Sequence, residues 1–189
     1  MMRIITGSAK GKKLRTLEGD ATRPTSERIK GAIFSAIQFD LEGRRVLDLF
    51  AGSGQMGLEA LSRGAAAVTF IDSSREAMEI VKANATSTGF FSSSHFLVSD
   101  WRNYLRKAGG RERFDLVFID PPYAMDCHIE ACAVLVREEL IIPGAIVVIE
   151  SGSPINTADK RLDGYEVIKA SSYGKMTHVT ILLYRGETV

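Results

Sequence analysis

The residues best equipped for chemistry stand at the end of an apolar run. Phe114-Asp115-Leu116-Val117-Phe118-Ile119 gives way to Asp120-Pro121-Pro122-Tyr123. An acid, two prolines and an aromatic cannot extend a strand, so they either make a turn or sit at an edge where something binds. The amino group of a nucleobase is a poor nucleophile, because its lone pair is delocalised into the ring. Two acceptors around its hydrogens favour a pyramidal nitrogen and free that pair. The Asp120 carboxylate and the Pro121 carbonyl are such acceptors. Pro121 and Pro122 fix φ near −65° and carry no N–H of their own. Tyr123 offers a ring on which an extruded base can stack. As a bare tetrapeptide the run also fits a plain turn.

Three earlier segments end in the same way. Arg45-Val46-Leu47-Asp48-Leu49-Phe50 leads into Ala51-Gly52-Ser53-Gly54. The glycines let backbone approach a ligand, and a helix start lies just beyond. The pattern is not the G-x-G-x-x-G of dinucleotide sites, since Asp48 precedes the glycines and Gln55-Met56 follow them. Ala67-Val68-Thr69-Phe70-Ile71 ends in Asp72-Ser73, 18 to 20 positions after the glycines. A carboxylate there can accept both hydroxyls of a ribose. His95-Phe96-Leu97-Val98 ends in Ser99-Asp100-Trp101. An acid can accept from an adenine amino group, and an apolar face beside it can cover the ring. Singly, Asp72 and Asp100 also fit the role of helix cap. Together, four strand ends carry groups suited to an adenosine and an amine.

These groups need a scaffold that brings strand ends to one side. The apolar runs are continuous and alternate with helical patterns: Met56 to Arg63, Ser74 to Ser87, a short helix reaching Lys107, and Ile129 to Leu140. That rhythm predicts an α/β fold with a parallel sheet covered on both faces. Ala145 to Glu150 is the fifth strand. Gly164 to Ala170 and Thr177 to Tyr184 have no helix between them and predict an antiparallel hairpin at one sheet edge. Upstream, Thr22-Arg23-Pro24-Thr25-Ser26-Glu27-Arg28 opens a helix whose apolar face is Ile29, Ala32, Ile33, Ala36 and Ile37. Before it, Arg3-Ile4-Ile5-Thr6 and Lys13-Leu14-Arg15-Thr16-Leu17 flank a Gly- and Lys-rich stretch, as in a hairpin with a flexible basic tip.

Charge is uneven. The chain of 189 residues has a net charge of +1, yet residues 1 to 30 carry eight bases (Arg3, Lys10, Lys12, Lys13, Arg15, Arg23, Arg28 and Lys30) against three acids. A basic arm on a mildly acidic body predicts a polyanionic partner at one end, or else a solvated tail. Cys127 and Cys132 stand at a spacing that does not share a helix face, which fits two free buried thiols and no metal site. No run reaches the ~18–20 apolar residues of a membrane span. The charged N-terminus lacks an apolar signal core. The expected setting is the cytoplasm, with no membrane partner.

With the elements in order, Asp48-Leu49-Phe50-Ala51-Gly52-Ser53-Gly54 and Asp120-Pro121-Pro122-Tyr123 resemble an S-adenosylmethionine-dependent amino methyltransferase. The stretches from Arg3 to Leu14, Thr22 to Phe34, Asp48 to Ala65, and Lys175 to Gly186 narrow the resemblance to bacterial 16S ribosomal RNA guanine-N2 methyltransferases of the RsmD type. Gln55-Met56 and Asp72 depart from the residues most usual there. The resemblance implies a Rossmann-like class I methyltransferase domain over residues 22–189, with a seven-stranded, mostly parallel sheet. A basic N-terminal hairpin over residues 1–21 would contact RNA. Asp48, Phe50, Ala51, Gly52, Ser53 and Gly54 would hold the methionine end of S-adenosylmethionine. Asp72 and Ser73 would hold the ribose, and Asp100 and Trp101 the adenine. Asp120, Pro121, Pro122 and Tyr123 would hold the amine and base. Arg3, Lys10, Lys12, Lys13, Arg23 and Arg28 would face RNA. The implied partner is 16S ribosomal RNA or a small-subunit assembly intermediate, met by a monomer without a metal. Three other readings fit parts of the sequence. These are an adenine-N6 DNA methyltransferase, a catalytically silent nucleic-acid binder of the same fold, and a nucleotide-dependent oxidoreductase, which the absent G-x-G-x-x-G disfavours.

Overall fold

The structure is a computed structural model and describes residues 2–16, 27–122 and 124–186. Seven strands form one sheet in the order β3-β2-β1-β4-β5-β7-β6. The chain divides into two compact units, Met1–Asp100 and Trp101–Val189. No described helix is long and apolar enough to cross a membrane.

In the first unit, β1 (Arg45–Asp48), β2 (Ala67–Asp72) and β3 (Ser94–Val98) pair in parallel. Val46, Leu47, Val68, Phe70 and Ile71 are fully buried, as continuous apolar strands require. The α-helices described in this unit are α1 (Glu27–Ala36), α2 (Gln55–Ser62) and α3 (Arg75–Thr88). Ser74 caps α3 by accepting the Ala77 N–H at 3.1 Å, and Gly89 ends it in the left-handed region. The buried face of α1 is Ile29, Ile33, Phe34 and the following Ile37, with Ala36 exposed. The expected stripe therefore holds at Ile29, Ile33 and Ile37, and Phe34 takes the place assigned to Ala36.

The N-terminal segment doubles back, with one antiparallel bridge between Arg3 and Lys13. Its tip is packed rather than loose. The Ser8 N–H donates to the Ser62 carbonyl (2.8 Å), the Ala9 N–H donates to Ser62 Oγ (3.0 Å), and Ala9 is buried. Gly7 sits at φ +90°, and a Cβ there would stand 1.7 Å from the Ser62 carbonyl oxygen. Only glycine lets the arm lie this close to α2. This cover explains why all eight residues of α2 are buried, although its sequence shows an apolar side and a polar side.

In the second unit, β4 (Phe114–Ile119) pairs in parallel with β5 (Ile141–Ser151). β5 pairs antiparallel with β7 (His178–Tyr184), and β7 pairs antiparallel with β6 (Tyr165–Ser172). The C-terminal hairpin is thus present, with β6 outermost. Helices α4 (Trp101–Ala108) and α5 (His128–Arg137) belong to this unit, and α5 is shorter than its apolar pattern predicts. β5 starts earlier than expected, at Ile141, because its first part pairs with Phe114 across an irregular register. Cys127 and Cys132 are free and buried, and burial raises their thiols to about 11 and about 12.

Candidate functional site

The first unit presents its strand ends as a set of carboxylates wired to backbone. Asp48 closes β1 and is almost wholly buried. Its Oδ2 accepts the N–H of Gly57 at 3.0 Å. Gly57 is the third residue of α2, and the residue before the helix, Gly54, has no side chain to cap it. The Asp48 carboxylate therefore satisfies an orphan donor of the first turn from the strand below. Burial is the main reason its carboxyl is raised to about 7; nearby Asp72 pushes the same way, and the Gly57 bond opposes.

Between strand and helix the chain turns through Gly52 (φ +52°) and Gly54 (φ +77°), both in the left-handed region. A Cβ on Gly52 would meet nothing within 4 Å, so its backbone lies open to approach. Gly54 is closer-set, with Val81 Cγ1 3.0 Å from its ideal Cβ. At the first residue of α2, Gln55 is buried and its Oε1 accepts no hydrogen bond among the described residues.

Asp72 ends β2, half-buried, and holds the loop from the other side. Its Oδ2 accepts the Gly52 N–H (2.9 Å) and its Oδ1 accepts the Ser74 N–H (2.8 Å). Asp72 is thus a clamp between the glycine turn and the start of α3, and Ser74, not Asp72, is the helix cap. Ser73 is exposed beside it. Asp100 is exposed beyond β3.

In the second unit, Trp101 opens α4 and is buried, with the Arg102 guanidinium 4.4 Å from its ring centroid. One face of the indole is already covered. Asp120 follows β4 half-buried, Pro121 is buried and Pro122 exposed. The Pro122 carbonyl accepts the Met125 N–H at 2.8 Å. Tyr123 and Arg23 lie outside the described residues.

The basic arm is not uniformly free. Arg3 pairs with Glu27 at 3.0 Å in solvent. The Lys12 ammonium donates to the carbonyls of Ser87 (2.9 Å) and Thr88 (3.3 Å) at the end of α3, where a cation meets the helix dipole. Lys30, one of the eight bases assigned to the arm's charge, is buried and ion-paired to Glu59 at 3.2 Å. Burial holds its ammonium below the ordinary lysine range, against the pull of Glu59. Lys10, Lys13, Arg15 and Arg28 are exposed.

Sequence reasoning missed Glu59 and its partners. The Glu59 carboxylate accepts the N–H groups of Ile5 (2.8 Å) and Thr6 (3.0 Å) and also pairs with Arg63 (2.9 Å). Its sequence signal was an acid inside Leu58-Glu59-Ala60-Leu61, which reads as a solvated helix face. By sequence Asn84 falls in register with Ala77, Ile80 and Val81 along α3, an apolar stripe where an amide needs a reason to be.

Comparison with known proteins gives the chain a family. The family model described as Conserved hypothetical protein 95 matches residues 2–182. YlbH of Bacillus subtilis (strain 168) is 34% identical over 192 residues, covering 98% of this chain and all of the relative. Ribosomal RNA small subunit methyltransferase D of Haemophilus influenzae is 31% identical over 151 residues, which is 79% of this chain and 78% of the relative. Among solved structures, YhhF of Escherichia coli superposes with a TM-score of 0.85 at 26% identity, over 97% of this chain and 98% of that one. The chain therefore belongs to the Conserved hypothetical protein 95 family, that of the RsmD-type enzymes which its sequence resembles.

Proposed function

We propose that the protein transfers a methyl group from S-adenosylmethionine to the exocyclic N2 of one guanine in 16S ribosomal RNA. The observation that carries this reading is the Asp48–Gly52–Asp72 loop, together with Asp-Pro-Pro directly after β4. The family relative from Haemophilus influenzae carries small-subunit ribosomal RNA methylation in its name.

The residues fit the donor. In open α/β sheets ligands bind beyond the carboxyl ends of the strands, and Asp48 and Asp72 each end one. Gly52 leaves backbone open, and the buried Gln55 Oε1 is an acceptor in need of a donor. Asp48 with the backbone of 50–54 would hold the cationic methionine end, Asp72 and Ser73 the ribose, and Asp100 with Trp101 the adenine. Asp72 can serve the loop and a ribose together, because each carboxylate oxygen has a second lone pair. S-adenosylmethionine, when bound, supplies a methyl already activated by its sulfonium.

The chain's part is to bind, orient and exclude. The Asp120 carboxylate and the Pro121 carbonyl accept the two hydrogens of the amine and turn its lone pair toward the methyl. Pro121 and Pro122 hold that geometry with fixed φ. Tyr123 supports the base. Asp120 need not be a strong base, since the nitrogen becomes far more acidic once methylated. Positioning and electrostatics account for the rate. The guanine must be unpaired or extruded to reach such a site. Residues 1–21 would form the RNA-contacting arm on a methyltransferase domain of residues 22–189, and Arg3, Lys10, Lys12, Lys13, Arg23 and Arg28 would face the RNA. The protein acts as a cytoplasmic monomer on the RNA or a small-subunit assembly intermediate.

Asp120→Ala tests the assignment. Calorimetry should show S-adenosylhomocysteine bound within about threefold of wild type, while tritium transfer to small-subunit RNA falls by at least 10²-fold, the scale on which a positioned acceptor acts. Full transfer by the variant would contradict the role of Asp120.

A further inference from the structure

Asn84 lies on the buried face of α3 and is 1% exposed. Its side chain spends its amide in two directions. Toward the arm, Oδ1 accepts the Arg15 N–H at 2.8 Å and Nδ2 donates to the Arg15 carbonyl at 3.0 Å. Toward the glycine turn, Nδ2 donates its other hydrogen to the Ser53 carbonyl at 2.9 Å. The orientation of the amide is dictated, because the reversed one would set an NH₂ against the Arg15 N–H and an oxygen against the Ser53 carbonyl. Ser53 makes a second link to the arm, its hydroxyl donating to Met2 Sδ at 3.1 Å.

The arm is therefore linked to the middle residue of the Gly52-Ser53-Gly54 turn twice, directly from Met2 and from Arg15 through Asn84. That turn has glycines on both sides at positive φ and no side-chain cap from Gly54, so its own residues restrain it weakly. Asp72 fixes it at Gly52. Among the described residues, Asn84 and Met2 supply the side-chain restraint on Ser53.

We propose that the N-terminal arm is a brace of the donor-binding loop, and that Asn84 is the positioning residue which carries the restraint from arm to loop. The inference rests on the assignment of the loop to the donor. Arm and loop then act as one unit: loosening the arm weakens donor binding with no RNA present. By linkage, RNA that pins the arm tightens the donor by the same factor as the donor tightens RNA.

The test is a double-mutant cycle read by calorimetry with S-adenosylhomocysteine, without RNA. Asn84→Ala removes the bridge. Gly7→Ala displaces the arm from α2 at a point remote from the loop, because its Cβ cannot coexist with the Ser62 carbonyl. Each variant should raise Kd about tenfold, and the double variant should raise it no further than either alone. Val134→Ala, a core truncation in α5 of the other unit, controls for lost stability and should leave Kd within twofold. Circular dichroism shows which variants are folded. Should Asn84→Ala not fold, Gly7→Ala carries the test, with an unchanged Kd overturning the proposal. Additive effects of the two changes overturn it as well. Failure of wild type to bind S-adenosylhomocysteine would overturn the donor assignment along with it, whereas tight binding indifferent to both changes overturns the brace alone.

Discussion

Lys30 Nζ lies 3.2 Å from Glu59 Oε2, and both side chains are shut away from solvent at 1% and 0% exposure. The pair is not isolated. Lys30 also donates to the Arg3 carbonyl at 2.7 Å, and Glu59 accepts from Ile5, Thr6 and Arg63. One carboxylate on α2 thus gathers the arm, α1 and its own helix. A buried ion pair holds when further hydrogen bonds support both members, and here each member has partners beyond the other.

Removal of Glu59 should therefore be severe. Glu59→Ala leaves a buried ammonium without its counter-charge and takes the acceptor from the Ile5 and Thr6 N–H groups. We expect destabilisation by about 3–5 kcal/mol, measured by urea denaturation. Glu59→Gln keeps one acceptor and should destabilise less. A change under about 1 kcal/mol for Glu59→Ala, the scale of an exposed pair, would show that the arm is held by other interactions.

Asp48 gives a pH dependence. Its carboxyl is raised to about 7 in the folded chain, against an ordinary value of 3.8. Between those values the folded state keeps a proton that the unfolded state has released. Ligand-free stability should thus fall as pH rises from about 4 to about 7, by an amount on the order of a few kcal/mol at most. Asp48→Asn, which cannot titrate, should flatten that part of the profile in thermal melts. A cationic methionine end favours the ionised form, so donor binding near pH 6 should release protons and tighten toward pH 8. Calorimetry in buffers of different ionisation enthalpy reads that release.

The arm should act through some of its cations and not others. Lys10, Lys13 and Arg15 are exposed, whereas the Lys12 ammonium is spent on the end of α3. Changing Lys10, Lys13 and Arg15 to Ala should weaken RNA binding. The slope of log K against log salt should fall by roughly 0.7–0.9 for each phosphate no longer neutralised. Lys12→Ala should lower the melting temperature more than it changes that slope. Equal effects on the slope from both variants would contradict this division.

The fold was legible because its signals are local. Continuous apolar runs such as Ala67–Asp72 and Phe114–Ile119 became strands with those same bounds. The glycine turn and the carboxylates that close β1 and β2 were found because strand ends are a known place to look. What the sequence hid was long-range. Glu59 and Lys30 are ordinary surface residues until the arm, whose Ile5 and Thr6 lie more than 50 positions from Glu59, covers them. The tip of the arm looked loose because the fit of Gly7 against Ser62 has no local signature. Asp72 looked like a helix cap or a ribose ligand, and its bond to Gly52 needed the turn to be folded first.

The most direct test is to map modified bases in 16S ribosomal RNA. Small subunits from a strain lacking this protein are incubated with the purified enzyme and S-adenosylmethionine, and the RNA is digested and read by mass spectrometry. The account predicts one added methyl, on the N2 of a single guanine, absent from subunits treated with Asp120→Ala. A methyl on another base or on a ribose, or none at all, would contradict it.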